Sequence, residues 1–190
     1  MKKRIEMGIL SFLTVFTLSA CGGDKEEGNH ENMDMDTPTS SEENMEMDHS
    51  GTGEVPEELK VAENPTFEVG SQAIIEADHM EGMNGAEATI VGAFDTTVYS
   101  VSYTPTTGGE RVTNHKWVIH EELEEVDNEA FEPGTQVTLN AAHMEGMQGA
   151  TAEIDTAEET TVYMVDYMPT TGGEKVTNHK WVTESELSAK

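Results

Sequence analysis

"TTVYSVSYTPTTGGERVTNHKWV", running from Thr96 to Val118, returns without a gap as "TTVYMVDYMPTTGGEKVTNHKWV" from Thr160 to Val182. Within it Tyr99, Val101 and Tyr103 alternate with Ser100 and Ser102, the period-two pattern of a strand with one buried face. The paired glycines of "PTTGGE" supply positive φ for a hairpin-type turn. "HKWVIHEEL" begins as a strand carrying Trp117 and ends in a helical turn. Working outward, "FEVGSQAIIEADHMEGMNGAEATI" at Phe67 matches "FEPGTQVTLNAAHMEGMQGATAEI" at Phe131, again offset by 131 − 67 = 64 positions. The chain is therefore an internal duplication.

"QAIIEA", "QVTLNA" and "EATIVGAF" also read as strands. About four to five short strands in roughly sixty residues predict an all-β protein, two tandem homologous SH3-like β-barrels. The repeats span 65–126 and 129–190. Each is small enough for a marginal core, built in the first copy from Phe67, Ile75, Ile90, Tyr99, Val101, Tyr103, Trp117 and Val118.

Residues 1–20 read as a lipoprotein signal peptide. "MKKR" is positive, "MGILSFLTVFTLSA" is apolar but short for a bilayer span, and "LSAC" has the pattern of a lipobox. Cys21, the one cysteine in the chain, is then the lipidation site. That use leaves no disulfide and no thiolate metal site. The expectation is a protein anchored to the cell membrane by lipid alone, on the extracellular face.

The chain holds 38 acidic and 10 basic residues for a net charge of −28. Removing Lys2, Lys3, Arg4 and Glu6 with the signal leaves 38 − 1 = 37 against 10 − 3 = 7, a charge of −30. Nucleic acid is excluded as a natural partner, because phosphate rewards lysine and arginine. Anionic headgroups are poor partners for the same reason. Residues 21–64 combine high charge with few apolar residues and read as a disordered acidic tether. It is unusual in carrying Met33, Met35, Met45 and Met47, with His30 and His49 nearby.

Methionine also marks both folded repeats. "HMEGM" places His79, Met80 and Met83 around Gly82, and the second copy repeats this with His143, Met144 and Met147. Of 12 methionines, 12 − 2 = 10 remain after the signal, and only Met164 and Met168 fall in a strand region. Core methionines usually sit under secondary structure, and loop sulfurs beside imidazole suit a soft cation instead. Thioether favours Cu(I) over zinc, calcium or magnesium. His79, Met80, Met83, His143, Met144 and Met147 are thus candidate copper ligands. His115 and His179 in "TNHKW" would complete the first and second sites if that segment folds against the loops. Met33, Met35, Met45, Met47 and His49 form a further, flexible ligand set. No metal is needed for folding on this reading. The competing explanation is that His and Met simply cap the barrels.

Enzymatic signatures are absent: "HEELEE" at His120 lacks the second histidine of a zinc protease motif, and there is no nucleophile elbow or phosphate loop. A non-enzymatic function is expected.

"HMEGMNGAEATI", "TVYSVSYTPTTGGE" and "VTNHKWV" together resemble the YdhK family of Gram-positive surface lipoproteins, a domain of unknown function. The likeness covers both copies from about Phe67 to Leu187. Copper-tolerance lipoproteins of the CopL type in staphylococci look like members with the same twin repeat. The resemblance implies extracellular copper sequestration linked to a copper exporter, and it points to His79, Met80, Met83 and their second-copy equivalents. The sequence-level expectation is a copper-binding protein contributing to copper tolerance. The alternative is an envelope module that binds wall polymer or a protein partner without metal.

Overall fold

Valine, isoleucine, tyrosine and threonine crowd residues 87–103. In the computed structural model, which describes residues 50–126 and 129–190, they form one continuous strand. The elements are β1 Lys60–Val61, β2 Gln72–Ile75, β3 Glu87–Tyr103, β4 Val112–Ile119, β5 Gln136–Thr138, β6 Thr151–Tyr167, β7 Val176–Thr183 and β8 Leu187–Ala189. Single 3-10 turns follow β4 at His120–Glu122 and β7 at Glu184–Glu186. The all-β class and the tandem repeats stand. The segments "EATIVGAF" and "TVYSVSY" are halves of one strand rather than two.

The two long strands, β3 and β6, pair antiparallel from Ala88↔Tyr167 to Tyr103↔Ala152. Val91 in β3 and Asp155 in β6 each add one residue to the register, and they occupy the same position of the two repeats. Such bulges bend a strand and increase its twist. β2, β1 and β4 line the other edge of β3, while β5 and β7 line that of β6. β8 from the chain end closes onto β2 through Ala73↔Ala189.

This corrects the barrel expectation: the sheet is open, and neither repeat closes on itself. A 17-residue strand is too long to be covered by the short strands of its own copy. Its two halves therefore bury against different partners. One core joins Ala73, Ile75, Met83, Ala86 and Ile90 of the first repeat to Tyr163, Val165, Tyr167 and Val182 of the second. The other joins Tyr99, Val101, Tyr103 and Val118 of the first to Val137, Leu139, Met147, Ala150 and Ile154 of the second. Each core thus combines residues of both repeats. Of the residues expected to form one core, Ile75 and Ile90 lie in the first, with Phe67 partly buried against it and edge-on to Tyr163 at 5.7 Å. Tyr99, Val101, Tyr103 and Val118 lie in the second, and Trp117 lies in neither.

Successive strand residues face opposite sides. Phe94 and Val98 therefore turn away from Ala93 and Tyr99 into a third cluster with Leu59, Ile119, Val162, Met164, Trp117 and Trp181. Residues 50–62, expected from composition to belong to a disordered tether, lie against the sheet. Leu59 is buried, Lys60 and Val61 pair with Asp95 and Phe94, and the Gly51 N–H donates to the Thr177 carbonyl at 2.8 Å. The signal peptide, Cys21 and the methionine-rich part of the tether lie outside the described residues.

Candidate functional site

The HMxGM segments form tight turns locked by left-handed glycines, Gly82 at φ 75° and Gly146 at φ 74°. Each turn is gripped by the PTTGG turn of the other repeat. The Thr170 N–H donates to the Gly82 carbonyl at 2.8 Å, and the Thr106 N–H to the Gly146 carbonyl at the same distance. A Cβ on Gly82 would come within 2.6 Å of Thr171 Oγ1 and 2.9 Å of Pro169 Cβ. Glycine is required there by contact as well as by conformation.

The turn divides its methionines. Met83 and Met147 point inward and have 0 % exposure, packed in the two cores. This corrects the premise that the loop thioethers escape hydrophobic packing: Met83 and Met147 are interior side chains that fill the space beneath β2 and β5. Met80 is partly buried against the first core. Met144 is 41 % exposed, and its sulfur accepts a contact from the Tyr103 hydroxyl at 3.9 Å. Met164 is also buried, while Met168 is exposed.

The histidines of the turns meet carboxylates that the motifs do not reveal. His79 Nε2 lies 2.7 Å from Glu186 Oε1, and His143 Nε2 lies 2.9 Å from Glu122 Oε1. The second oxygen of each carboxylate accepts a tryptophan N–H, Trp117 on Glu186 at 2.8 Å and Trp181 on Glu122 at 3.0 Å. Backbone N–H groups of Thr183 and Ile119 complete the two cradles. Each of these partners has its equivalent 64 positions away in the other cradle. Glu186 alone also has the Lys116 ammonium at 4.0 Å, while Lys180 turns to the Glu54 carbonyl. Burial alone would raise both carboxyls. The His143 charge and hydrogen bonds from His143, Trp181 and Ile119 outweigh it and hold Glu122 below the usual range. His79, Thr183 and Trp117 do the same for Glu186. Sequence reasoning missed both glutamates, because nothing in an acidic chain distinguishes them except recurrence at the repeat spacing.

His115 reaches the same region through two strand irregularities. Along β4, Val118 opposes Tyr99, His115 opposes Val101 and Val112 opposes Tyr103. Each step advances two residues in β3 and three in β4. Strict alternation would put Lys116 and Asn114 on the inner face, and the two extra residues put His115 and Val112 there instead. Asn114 absorbs the distortion at φ 52°, a conformation asparagine tolerates. The His115 ring packs edge-on against Tyr103 and lies 6.2 Å from the His143 ring. Its Nε2 is buried without a hydrogen-bond partner. Desolvation, with the nearby His143 and then His79 charges, pushes His115 down to about 4 against a weaker pull from Glu122. The ring is therefore neutral at physiological pH.

His115 was expected to serve the loop of its own repeat. The imidazole it faces belongs to His143, in the other one. His179 is buried and edge-on to Tyr167 at 5.7 Å. His120, which lacks a counterpart, contacts the Tyr99 hydroxyl through Nδ1 at 2.9 Å, where the second copy uses Glu184 on Tyr163. Met33, Met35, Met45, Met47 and His49 lie outside the described residues. Among the described residues no group of three His, Cys, Asp or Glu side chains is placed to hold a metal ion.

The repeats themselves match a known family, described as protein of unknown function (DUF1541), over residues 69–120 and 133–184. The chain belongs to the DUF1541 family. Among its members, the uncharacterized protein YdhK of Bacillus subtilis (strain 168) is 59 % identical over 186 residues, covering 97 % of this chain and 88 % of that protein. A 2.00 Å crystal structure of the Bacillus subtilis protein is 66 % identical and superposes with a TM-score of 0.74, over 76 % of this chain and 99 % of that one. The solution structure of the YdhK C-terminal domain is 67 % identical with a TM-score of 0.63, over 65 % of this chain and 94 % of that one. DUF1541 repeats thus occur in a solved fold very like the one described.

Proposed function

We propose that the protein is a lipid-anchored, extracellular copper-binding protein that buffers Cu(I) at the cell surface and contributes to copper tolerance, with Cys21 as its anchor. The observation that carries the reading is the His115 Nε2 atom, a neutral, buried imidazole nitrogen without a partner. It belongs to a ring beside His143, and Tyr103 contacts both that ring and the Met144 sulfur. An unsatisfied buried nitrogen is costly, and a soft monovalent cation would satisfy it. His115, His143 and Met144 would hold the ion, with His79, whose Nδ1 is also buried and unpartnered, close enough to depress His115 by its charge. His179 and Met80 occupy the equivalent positions of the other repeat. Imidazole and thioether accept Cu(I), whereas hard divalent ions favour oxygen ligands.

Glu122 and Glu186 have a supporting role. They orient His143 and His79 and exclude those Nε2 atoms from coordination, as carboxylates do behind metal-bound histidines. The core methionines Met83 and Met147 brace the turns. The tether methionines Met33, Met35, Met45 and Met47 add a second, flexible set that raises the local ligand concentration. A copper exporter is the natural partner for such a reservoir.

Anaerobic titration of Cu(I) into the soluble chain against a competing chelator tests this. Replacing His115, His143 and Met144 together by alanine should remove the tightest binding step. An unchanged affinity overturns the folded-domain site. Cys21→Ala should release the protein from cells into the medium, and retention on the membrane would overturn the anchor.

A further inference from the structure

Two edges of the sheet carry the same residues, "VTNHKW", and one of them is covered. Beside β7 runs the segment from Ser50 to Glu54. The Gly51 N–H donates to the Thr177 carbonyl at 2.8 Å, and the Thr177 N–H donates to Ser50 Oγ at 3.1 Å. Asn178 Nδ2 donates to the Gly51 carbonyl at 3.3 Å, and Lys180 Nζ to the Glu54 carbonyl at 2.6 Å. The approach is close enough to require glycine, since a Cβ on Gly51 would lie 2.5 Å from the Asn178 carbonyl oxygen.

The β4 edge presents Thr113, Asn114 and Lys116 in the same geometry. Asn114 and Asn178 share a left-handed φ of 52° and 51°. Each donates its N–H inward, to Ser102 Oγ at 3.1 Å and to Asp166 Oδ1 at 2.8 Å. The register steps beside them are the same. Among the described residues β4 is paired on one side only, by β3, and no segment covers its outer edge. Thr113 and Asn114 are exposed where Thr177 and Asn178 are half-buried. An unpaired edge is a template for another extended chain.

We propose that the β4 edge binds the Ser50–Glu54 segment of a second copy of this chain, in the pose that segment adopts on β7. The string "SGTGEVP" occurs once per chain, so one chain can cover only one of its two matching edges. The β4 edge can take this segment only from a second copy, and only when that copy's segment has left its own β7. Lys116, half-buried over the Trp117 ring and 4.0 Å from Glu186 Oε1, stands at the position of Lys180. Turning outward, it would donate to the Glu54 carbonyl of the second copy as Lys180 does within the chain. The net charge of −28 opposes any approach of two copies, so association strengthens as salt screens that repulsion.

The test is a titration of a synthetic peptide of residues 50–58 into the isotopically labelled mature chain, followed by amide shifts. The expected result is saturable movement of Thr113, Asn114 and Lys116, with Thr177 and Asn178 unmoved. Asn114→Gly keeps the left-handed backbone and removes the amide donor, and should weaken binding by about fivefold or more. Sedimentation of the chain alone should show self-association that rises with salt and falls in Asn114→Gly. No shift at millimolar peptide, a shift confined to β7, or one undiminished in Asn114→Gly would each overturn the proposal.

Discussion

Thr96 faces Thr160 across the ladder between the two long strands, and 160 − 96 = 64, so the two are the same position of the two repeats. The pairing of the repeats is therefore isologous, as in a two-fold symmetric dimer, although both partners belong to one chain. Everything else about the cores follows from that centre. Residues before Thr96 pair with residues after Thr160, and the N-terminal half of each repeat buries against the C-terminal half of the other.

Separated repeats should therefore be incompetent alone. Residues 50–126 and residues 129–190, made as two chains, each lack part of both cores. Mixed, they should regain the circular dichroism and tryptophan environment of the intact protein. Alone, each should be unfolded or paired with itself. A folded monomer of 129–190 in sedimentation would contradict the interleaved cores.

Glu122 should behave as an interior residue despite its charge. Glu122→Ala strands the Trp181 indole N–H and leaves His143 without its acceptor, at a cost of about 3 kcal/mol. Glu186→Ala should lose a similar amount through Trp117 and His79. Glu110→Ala, at an exposed position, should stay within about 0.5 kcal/mol. Urea unfolding of the three variants makes the comparison. Equal stabilities would remove the structural role of the cradles.

The metal-free protein should weaken in mild acid. His115 is held at about 4 in the folded state against 6.5, so the unfolded chain binds the extra proton between those values and stability falls as pH falls through that window. The slope from this residue approaches about 1.4 kcal/mol per pH unit. Glu122 and Glu186 are depressed below 4.5, so their contribution is present above that value and is lost on further acidification. His115→Gln should flatten the upper window alone, measured as denaturation midpoint against pH. A midpoint independent of pH between 6.5 and 4 in the parent protein would contradict the burial of His115.

Alternation in "TVYSVSY" and "QAIIEA" made the strands and their inner faces legible, and the glycines of HMxGM and PTTGG marked the turns. Partner choice was not legible. A period-two pattern says which face is buried but not which strand covers it, and two near-identical repeats offer each strand two equivalent partners. The position of His115 was hidden by the bulges, which shift the inner face of β4 away from simple alternation. Glu122 and Glu186 were hidden by composition, two carboxylates among 38 acidic residues. Met83 and Met147 misled because a short turn between buried strands looks like a surface loop in sequence.

Burial separates two methionines of the same motif. Met83 has 0 % exposure and Met144 has 41 %, so truncation should act on different properties. Met83→Ala opens a cavity beneath β2 and should cost about 2–4 kcal/mol. Met144→Ala removes a partly solvated side chain and a weak hydroxyl–sulfur contact, and should cost under about 0.5 kcal/mol. If Met144 serves as a thioether ligand, its variant loses Cu(I) affinity with stability intact. Met83→Ala then loses affinity only as far as its turn loosens, and Met83→Leu, which preserves volume without sulfur, keeps both. Thermal unfolding and a chelator competition on the same three samples decide the matter. Loss of Cu(I) affinity in Met83→Leu with Met144→Ala unaffected would move the sulfur donor into the core.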